Sequence, residues 1–221
     1  MTEKLLDIYN RLLSTFGEQH WWPADTVFEV IIGTILTQNT NWKNVEKAIA
    51  NLRSAAALNI RAIDRMSPEK LEQLIRPSGY FRQKTVRLQS FTGWILETWG
   101  GLDQLLTAPA DELRQKLLQQ PGIGPETADS IILYAAGQPT FVVDAYTHRI
   151  LVRLGLEQPG TAYEETRRMF MDNLPPTPSL FNQYHALLVR LAKEHCRKRE
   201  PLCTDCPLLV LCPTGELNVG H

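Results

Sequence analysis

Residues 117–137 read LLQQPGIGPETADSIILYAAG. A leucine-bearing helical pattern runs into Pro121, glycines follow at 122 and 124, and Pro125 stands where a second helix would begin. Proline at a first helical position costs no hydrogen bond, and glycine accepts the turn conformations that other residues resist. Backbone N–H groups at such a turn lie at a helix start, where unpaired donors and the helix dipole favour an anion. Ile123, between the glycines, is expected to plug into a core and hold the turn shut. The stretch therefore predicts a helix–hairpin–helix with a phosphate grip at Gly122, Ile123 and Gly124. A plain helix–helix turn is the simpler reading of P-G-x-G standing alone.

Helical patterning continues on both sides. Leu5, Ile8, Leu12 and Leu13 recur at helical spacing within residues 3–18. Further helices are predicted over 24–37 after Pro23, 41–55, 68–75, 82–98, 109–119, 125–136, 144–154, 161–173 and 179–195. Ser67-Pro68-Glu69 has the form of a cap followed by a first-turn proline. Gly or Pro punctuates most joints, and only Thr140-Phe141-Val142-Val143 looks extended. The expected class is all-α. Residues 76–85, RPSGYFRQKT, faintly echo the layout of the hairpin.

Charges nearly cancel over the 221 residues, with 23 basic, 24 acidic and a net charge of −1. Composition alone thus does not announce a nucleic-acid binder, and any such argument rests on local placement. One run qualifies: Arg190, Lys193, Arg197, Lys198 and Arg199, against Glu194 and Glu200. Such runs are commonly solvated faces, but a rigid loop would turn this one toward phosphate. No apolar run reaches membrane-spanning length, and the acid-bearing start MTEKLLDIYNRLL does not read as a secretory leader.

All the cysteines fall in one short run, Cys196, Cys203, Cys206 and Cys212, spaced C-x6-C-x2-C-x5-C. Two disulfides in so small a loop would brace nothing else, and four adjacent thiolates repel unless a cation holds them. Zinc is usually met by two C-x2-C knuckles, whereas one such pair with longer unequal steps suits wrapping a [4Fe–4S] cluster. A cluster and free thiols imply a reducing compartment, so the expectation is a cytoplasmic, nucleoid-associated protein of prokaryotic type.

Between hairpin and cysteines lies Val142-Val143-Asp144-Ala145-Tyr146-Thr147-His148-Arg149. Taken alone, Asp144 is a helix N-cap. Hairpin, Val-Asp and cysteine loop in this order closely resemble the helix–hairpin–helix DNA glycosylases of the endonuclease III type, over nearly the whole chain. The resemblance implies two helical domains with DNA in a cleft between them. One is a six-helix barrel at about 23–135 that includes the hairpin. The other, an iron–sulfur cluster domain, combines 1–22 with 136–221. It further implies Asp144 as the catalytic carboxylate and Gly122 to Gly124 as the phosphate grip. The four cysteines become the cluster ligands, and Arg197, Lys198 and Arg199 face the DNA backbone. Gln38, in Leu36-Thr37-Gln38-Asn39-Thr40, matches the glutamine that fills the hole left by a flipped base. The implied partner is double-stranded DNA bearing a damaged base, met by a monomer.

One departure from the family pattern bears on the reaction. Members that cleave strands carry lysine two residues after the second hairpin glycine, where this chain has Glu126. A carboxylate forms no Schiff base, so lyase chemistry at that site is expected to be missing. Trp21-Trp22-Pro23, Trp42 and the ILTQNT run resemble the endonuclease III-like 3-methyladenine DNA glycosylases in particular. Trp21, Trp22 and Trp42 are then the pocket candidates, since indole faces attract a cationic alkylated base. Some members of that branch lack the cluster, so cofactor and substrate need not travel together. Mismatch adenine glycosylases carry a glutamate five residues before the wedge glutamine, and here that position is Gly33. The alternatives are an oxidised-pyrimidine or mismatch glycosylase, or a DNA-structure binder that keeps hairpin and cluster as architecture. Strand nicking, if found, would require another amine, for which Lys84 is the candidate. The tail from Pro213 to His221 looks frayed.

Overall fold

The computed structural model describes residues 1–220, and their regular elements are all helical. In chain order they are α1 (Thr2–Phe16), α2 (Val27–Thr37), α3 (Trp42–Ser54), α4 (Ile60–Arg65), α5 (Pro68–Ile75), α6 (Phe81–Trp99), α7 (Leu102–Thr107), α8 (Ala110–Leu118), α9 (Pro125–Ser130), α10 (Ala145–Arg153), α11 (Tyr163–Asn173), α12 (Pro178–Glu194) and α13 (Pro213–Val219). Side-chain caps set several starts. Thr26 accepts from Glu29 N, Asn41 from Asn44 N, Asn59 from Ala62 N and Ser67 from Lys70 N.

Three local expectations change. The helix after Pro23 begins at Val27, because the Thr26 hydroxyl caps it and leaves Asp25 outside. The six-residue helices α4 and α7 were not predicted, being too short to display a period. Residues 140–143, which looked extended, do lie outside the helices, with Phe141, Val142 and Val143 buried. Pro213–Val219 is a helix rather than a frayed tail; its first turn is capped by Cys212 Sγ, which accepts from Gly215 N at 3.3 Å. His221 lies outside the described residues.

The chain forms two compact units. The central unit, Trp22–Gln138, holds α2 to α9 around a core that includes Ile31, Ile35, Leu88, Phe91, Leu117 and Ile131. Its last helix continues past Ser130 as a π turn, Ile131–Ala135, in which Ala136 N reaches back to Ile131 O at 3.0 Å. The terminal unit joins Met1–Trp21 to the chain from Pro139 onward and holds α1 and α10 to α13. Its core includes Leu5, Ile8 and Leu12 of α1. Phe141 stacks on Phe170 at 3.7 Å, and the buried Tyr184 hydroxyl donates to Leu5 O at 2.8 Å. No helix among the described residues is long and apolar enough to cross a membrane.

Candidate functional site

In the central unit the hairpin between α8 and α9 is closed from two sides. Ile123 is buried in the core, and its N–H donates to Gln120 O at 3.1 Å. Arg114 of α8 grips Asp129 of α9 in a two-pronged pair, 2.9 and 3.0 Å, with the carboxylate fully buried. Such a fork fixes both distance and orientation. The two glycines differ. Gly122 has φ +82°, and an added Cβ would lie 2.6 Å from Arg87 Nε. Gly124 has an ordinary φ of −91°, and a Cβ there would meet nothing within 4 Å. Gly124 is the N-cap of α9, a position that suits glycine, and its missing side chain leaves the face beside it open.

Gln38, at the end of α2, joins this hairpin. Its Nε2 donates to Gly122 O and to Thr127 Oγ1, each at 3.0 Å, and its Oε1 accepts from Arg87 at 2.6 Å. Lys84, one turn before Arg87 on α6, is buried, and its Nζ donates to Leu36 O at 2.8 Å and Ser78 O at 2.7 Å. Burial first, and the Arg87 charge second, push its pKa down to about 8. The amine is engaged in holding the last turn of α2. Glu126 is exposed in the first turn of α9, where a carboxylate suits the helix dipole.

Beside the hairpin element the π turn carries Tyr134, whose ring lies 5.4 Å from that of Trp22. Trp22 in turn meets Trp42 edge-on at 5.2 Å. Gly33 lies against the indole: a Cβ there would stand 3.4 Å from Trp22 Nε1 and Cζ2, in van der Waals contact. Trp22 and Trp42 line a groove of about 480 Å3 whose carboxylates, Asp25, Glu29 and Glu46, face one arginine, Arg53. Arg53 binds Asp25 at 2.7 Å and Glu29 at 2.8 Å. The structure thus joins Trp22 and Trp42, and adds Tyr134, which no sequence signal marked. Trp21 belongs to the terminal unit, where its carbonyl accepts from Asn182 at 2.7 Å and Lys193 lies over its ring at 5.9 Å.

Asp144, in the terminal unit, is the N-cap of α10. Its Oδ1 accepts from Thr147 N at 2.8 Å and Thr147 Oγ1 at 2.9 Å. Its Oδ2 faces His185 Nε2 at 3.6 Å, beyond hydrogen-bond range but close enough for charge to act. Burial pushes the carboxyl upward, yet His185 and the Thr147 bonds outweigh it and hold Asp144 below the usual carboxylate range. The result is a half-buried carboxylate kept ionised, with one oxygen committed to the cap. His185 was missed from sequence because it sits in an apolar stretch of α12, Tyr184 to Val189, where a lone histidine reads as core.

The four cysteines line one cavity with Arg153, His195 and Gly215. Arg153 donates to Cys196 Sγ at 3.1 Å and Asn218 to Cys203 Sγ at 3.4 Å. Burial, then mutual repulsion with the other three sulfurs, drives the Cys206 thiol up to about 11, and Cys212 is raised as well. His195 Nδ1 is buried without a hydrogen-bond partner. Facing thiols that oppose one another's ionisation, ringed by N–H donors, fit a multivalent cation. Among the described residues no three such side chains converge on one point for a single ion. Arg197, Lys198 and Arg199 are exposed on the first cysteine loop, whose backbone Arg153 holds through Arg197 O at 2.8 Å and Lys198 O at 3.3 Å.

The chain is similar to known DNA repair proteins. Residues 32–176 match the family described as HhH-GPD superfamily base excision DNA repair protein. A provisionally named DNA repair glycosylase of Methanocaldococcus jannaschii is 44% identical over 212 residues, 95% of this chain and 96% of that protein. Endonuclease III of Thermotoga maritima is 32% identical, covering 81% of this chain and 79% of its own length. Among solved structures, the H. pylori 3-methyladenine DNA glycosylase bound to 1,N6-ethenoadenine is similar, with TM-score 0.77 and 29% identity over 86% of this chain and 97% of that one. A non-covalent endonuclease III–DNA complex shares the fold, with TM-score 0.86 at 23% identity and coverage of 100% and 99%.

Proposed function

The chain belongs to the HhH-GPD superfamily of base excision DNA repair proteins, and on that premise we propose that it is a monofunctional DNA glycosylase acting on alkylated purines such as 3-methyladenine. The observation that carries this is Asp144, a half-buried carboxylate held ionised by His185 and Thr147. Cleavage of an N-glycosidic bond leaves a cationic sugar, and a fixed anion close to it stabilises the transition state or orients the attacking water. A base already made cationic by alkylation leaves with an electron pair and needs no further proton. One carboxylate therefore suffices.

Three further features support the reading. Glu126 replaces the amine that a strand-cleaving enzyme needs, and the Lys84 amine is bound to two carbonyls. The Trp22, Trp42 and Tyr134 rings, with more carboxylates than arginines beside them, suit a cationic planar base. Gly33 stands where a mismatch adenine glycosylase would need a glutamate to protonate the base, which disfavours that reading. The hairpin, with its open face at Gly124, would grip duplex DNA by a phosphate, and Gln38 would fill the space of the extruded base.

Cys196, Cys203, Cys206 and Cys212 would hold a [4Fe–4S] cluster, which when bound supplies a rigid charged centre for the loop. Arg153 and Asn218 direct N–H groups to Cys196 Sγ and Cys203 Sγ, and Arg197, Lys198 and Arg199 would meet the DNA backbone on that loop.

The test is to incubate the protein with methylated duplex DNA, identify released bases, and score strand breaks without alkali. Free 3-methyladenine with intact strands is expected. Nicking would overturn the monofunctional reading. Duplex binding without base release would favour a DNA-structure binder.

A further inference from the structure

Gln38 is tied down on three sides, and its strongest partner is a cation with nothing else to hold. Arg87 donates to the Gln38 carboxamide at 2.6 Å and, among the described residues, pairs with no carboxylate. Its stem lies across Gly122. A Cβ at that position would meet Arg87 Nε at 2.6 Å, Cδ at 2.7 Å and Cγ at 2.9 Å, so the glycine is what admits the guanidinium to the hairpin. Gly122 itself is exposed, and so is Gly124, whose missing side chain leaves the neighbouring face open. A guanidinium at the surface of an anion-seeking turn, partnered only by a neutral amide, is poised for exchange. A phosphate oxygen is the stronger acceptor, because both partners then carry charge.

The glutamine must also move. Two hydrogen bonds from Nε2, to Gly122 O and Thr127 Oγ1, and one into Oε1 from Arg87 keep it on the hairpin. A side chain so held cannot enter a duplex. Lys84 fixes the backbone two residues earlier through Leu36 O, so the side chain can swing while the turn that carries it stays in place.

We infer that Arg87 is a further phosphate-binding residue, which exchanges the Gln38 carboxamide for a DNA backbone phosphate and so releases the glutamine when the hairpin engages the strand. This rests on the glycosylase reading for the role of Gln38, but the contact to phosphate can be tested apart from it. Arg87 is a DNA-positioning residue and takes no part in bond cleavage.

The experiment measures binding to an undamaged duplex by fluorescence anisotropy across a salt series, for the wild type, Arg87→Ala, Arg87→Lys and Gln38→Ala, each first checked for an unchanged melting temperature. Loss of one phosphate contact lowers the slope of log affinity against log salt by about one. Arg87→Ala should show that loss, Arg87→Lys should retain the wild-type slope, and Gln38→Ala should retain it too. The side-chain 15N amide signal of Gln38 should shift to a solvent-exposed position when duplex is added to the wild type, and should stay at its hairpin-bound position when duplex is added to Arg87→Ala. An unaltered slope in Arg87→Ala would overturn the inference, leaving Arg87 a mere support for Gln38. Equal slope loss in Gln38→Ala would overturn the exchange, since the glutamine would then be holding Arg87 in its DNA-bound pose. Absence of duplex binding by the wild type would overturn it as well. Base release from methylated DNA is scored separately, so a binding protein without glycosylase activity can still pass or fail on Arg87.

Discussion

Replacing Asp144 by asparagine changes one charge and almost no shape, so cap and chemistry can be pulled apart. Asparagine caps helices about as well as aspartate, and its amide oxygen can keep both Thr147 bonds, at 2.8 and 2.9 Å. What is lost in stability is the anion at the start of α10, about 0.3–1 kcal/mol, or a melting shift of roughly 1–4 °C for a chain of this size. What is lost in catalysis is larger. An anion about 4 Å from a developing sugar cation is worth about 4 kcal/mol at an effective dielectric constant near 20, which is roughly a thousandfold in rate. The assay is single-turnover release of 3-methyladenine from methylated duplex, paired with a melting curve. Asp144→Ala should fall as far in rate and also lose the cap, about 1 kcal/mol more in stability. A normally melting Asp144→Asn that keeps more than roughly a tenth of the wild-type rate, where about a thousandfold loss is expected, would refute the catalytic assignment and leave Asp144 a cap alone.

Trp42→Leu keeps apolar bulk but removes the π face, and should slow release of cationic 3-methyladenine about 30-fold, the equivalent of about 2 kcal/mol; neutral ethenoadenine run in parallel should be affected less, and equal losses would argue against cation recognition. Lys84 has a folded pKa of about 8, below the ordinary lysine value. Below that pH both folded and unfolded chains are protonated and the burial penalty is complete; between it and the ordinary value the unfolded chain binds more protons, so folding strengthens as pH rises. Urea midpoints of the wild type relative to Lys84→Met should therefore rise from about pH 7 to about pH 10, and a flat difference would contradict a buried, depressed amine. Cys203→Ser should lose visible absorbance and, because Asn218 binds that sulfur and Cys212 caps α13, should expose the segment after Cys212 to protease. Unchanged proteolysis would detach α13 from the cysteine site.

Some of this protein could be read from local pattern, and the rest could not. Helical spacing, proline at first turns and glycine at joints act within a few residues, so the all-helical class and most helices were legible. The six-residue α4 and α7 were not, because so short a helix shows no period and owes its start to a cap such as Asn59. The tail was misjudged because α13 is held by Cys212 and Cys203 rather than by its own propensity. The same division runs through the candidate site. Hairpin, Val-Asp, tryptophans and cysteines are contiguous words and announce themselves. Arg87, Lys84 and His185 carry no local mark, because each acquires its meaning from a partner about forty to fifty residues away, Gln38, Leu36 and Asp144 respectively. Short-range sterics and hydrogen bonding are written in adjacent residues, whereas the charge on a half-buried carboxylate, the availability of an amine and the partner of a guanidinium exist only once distant helices have packed.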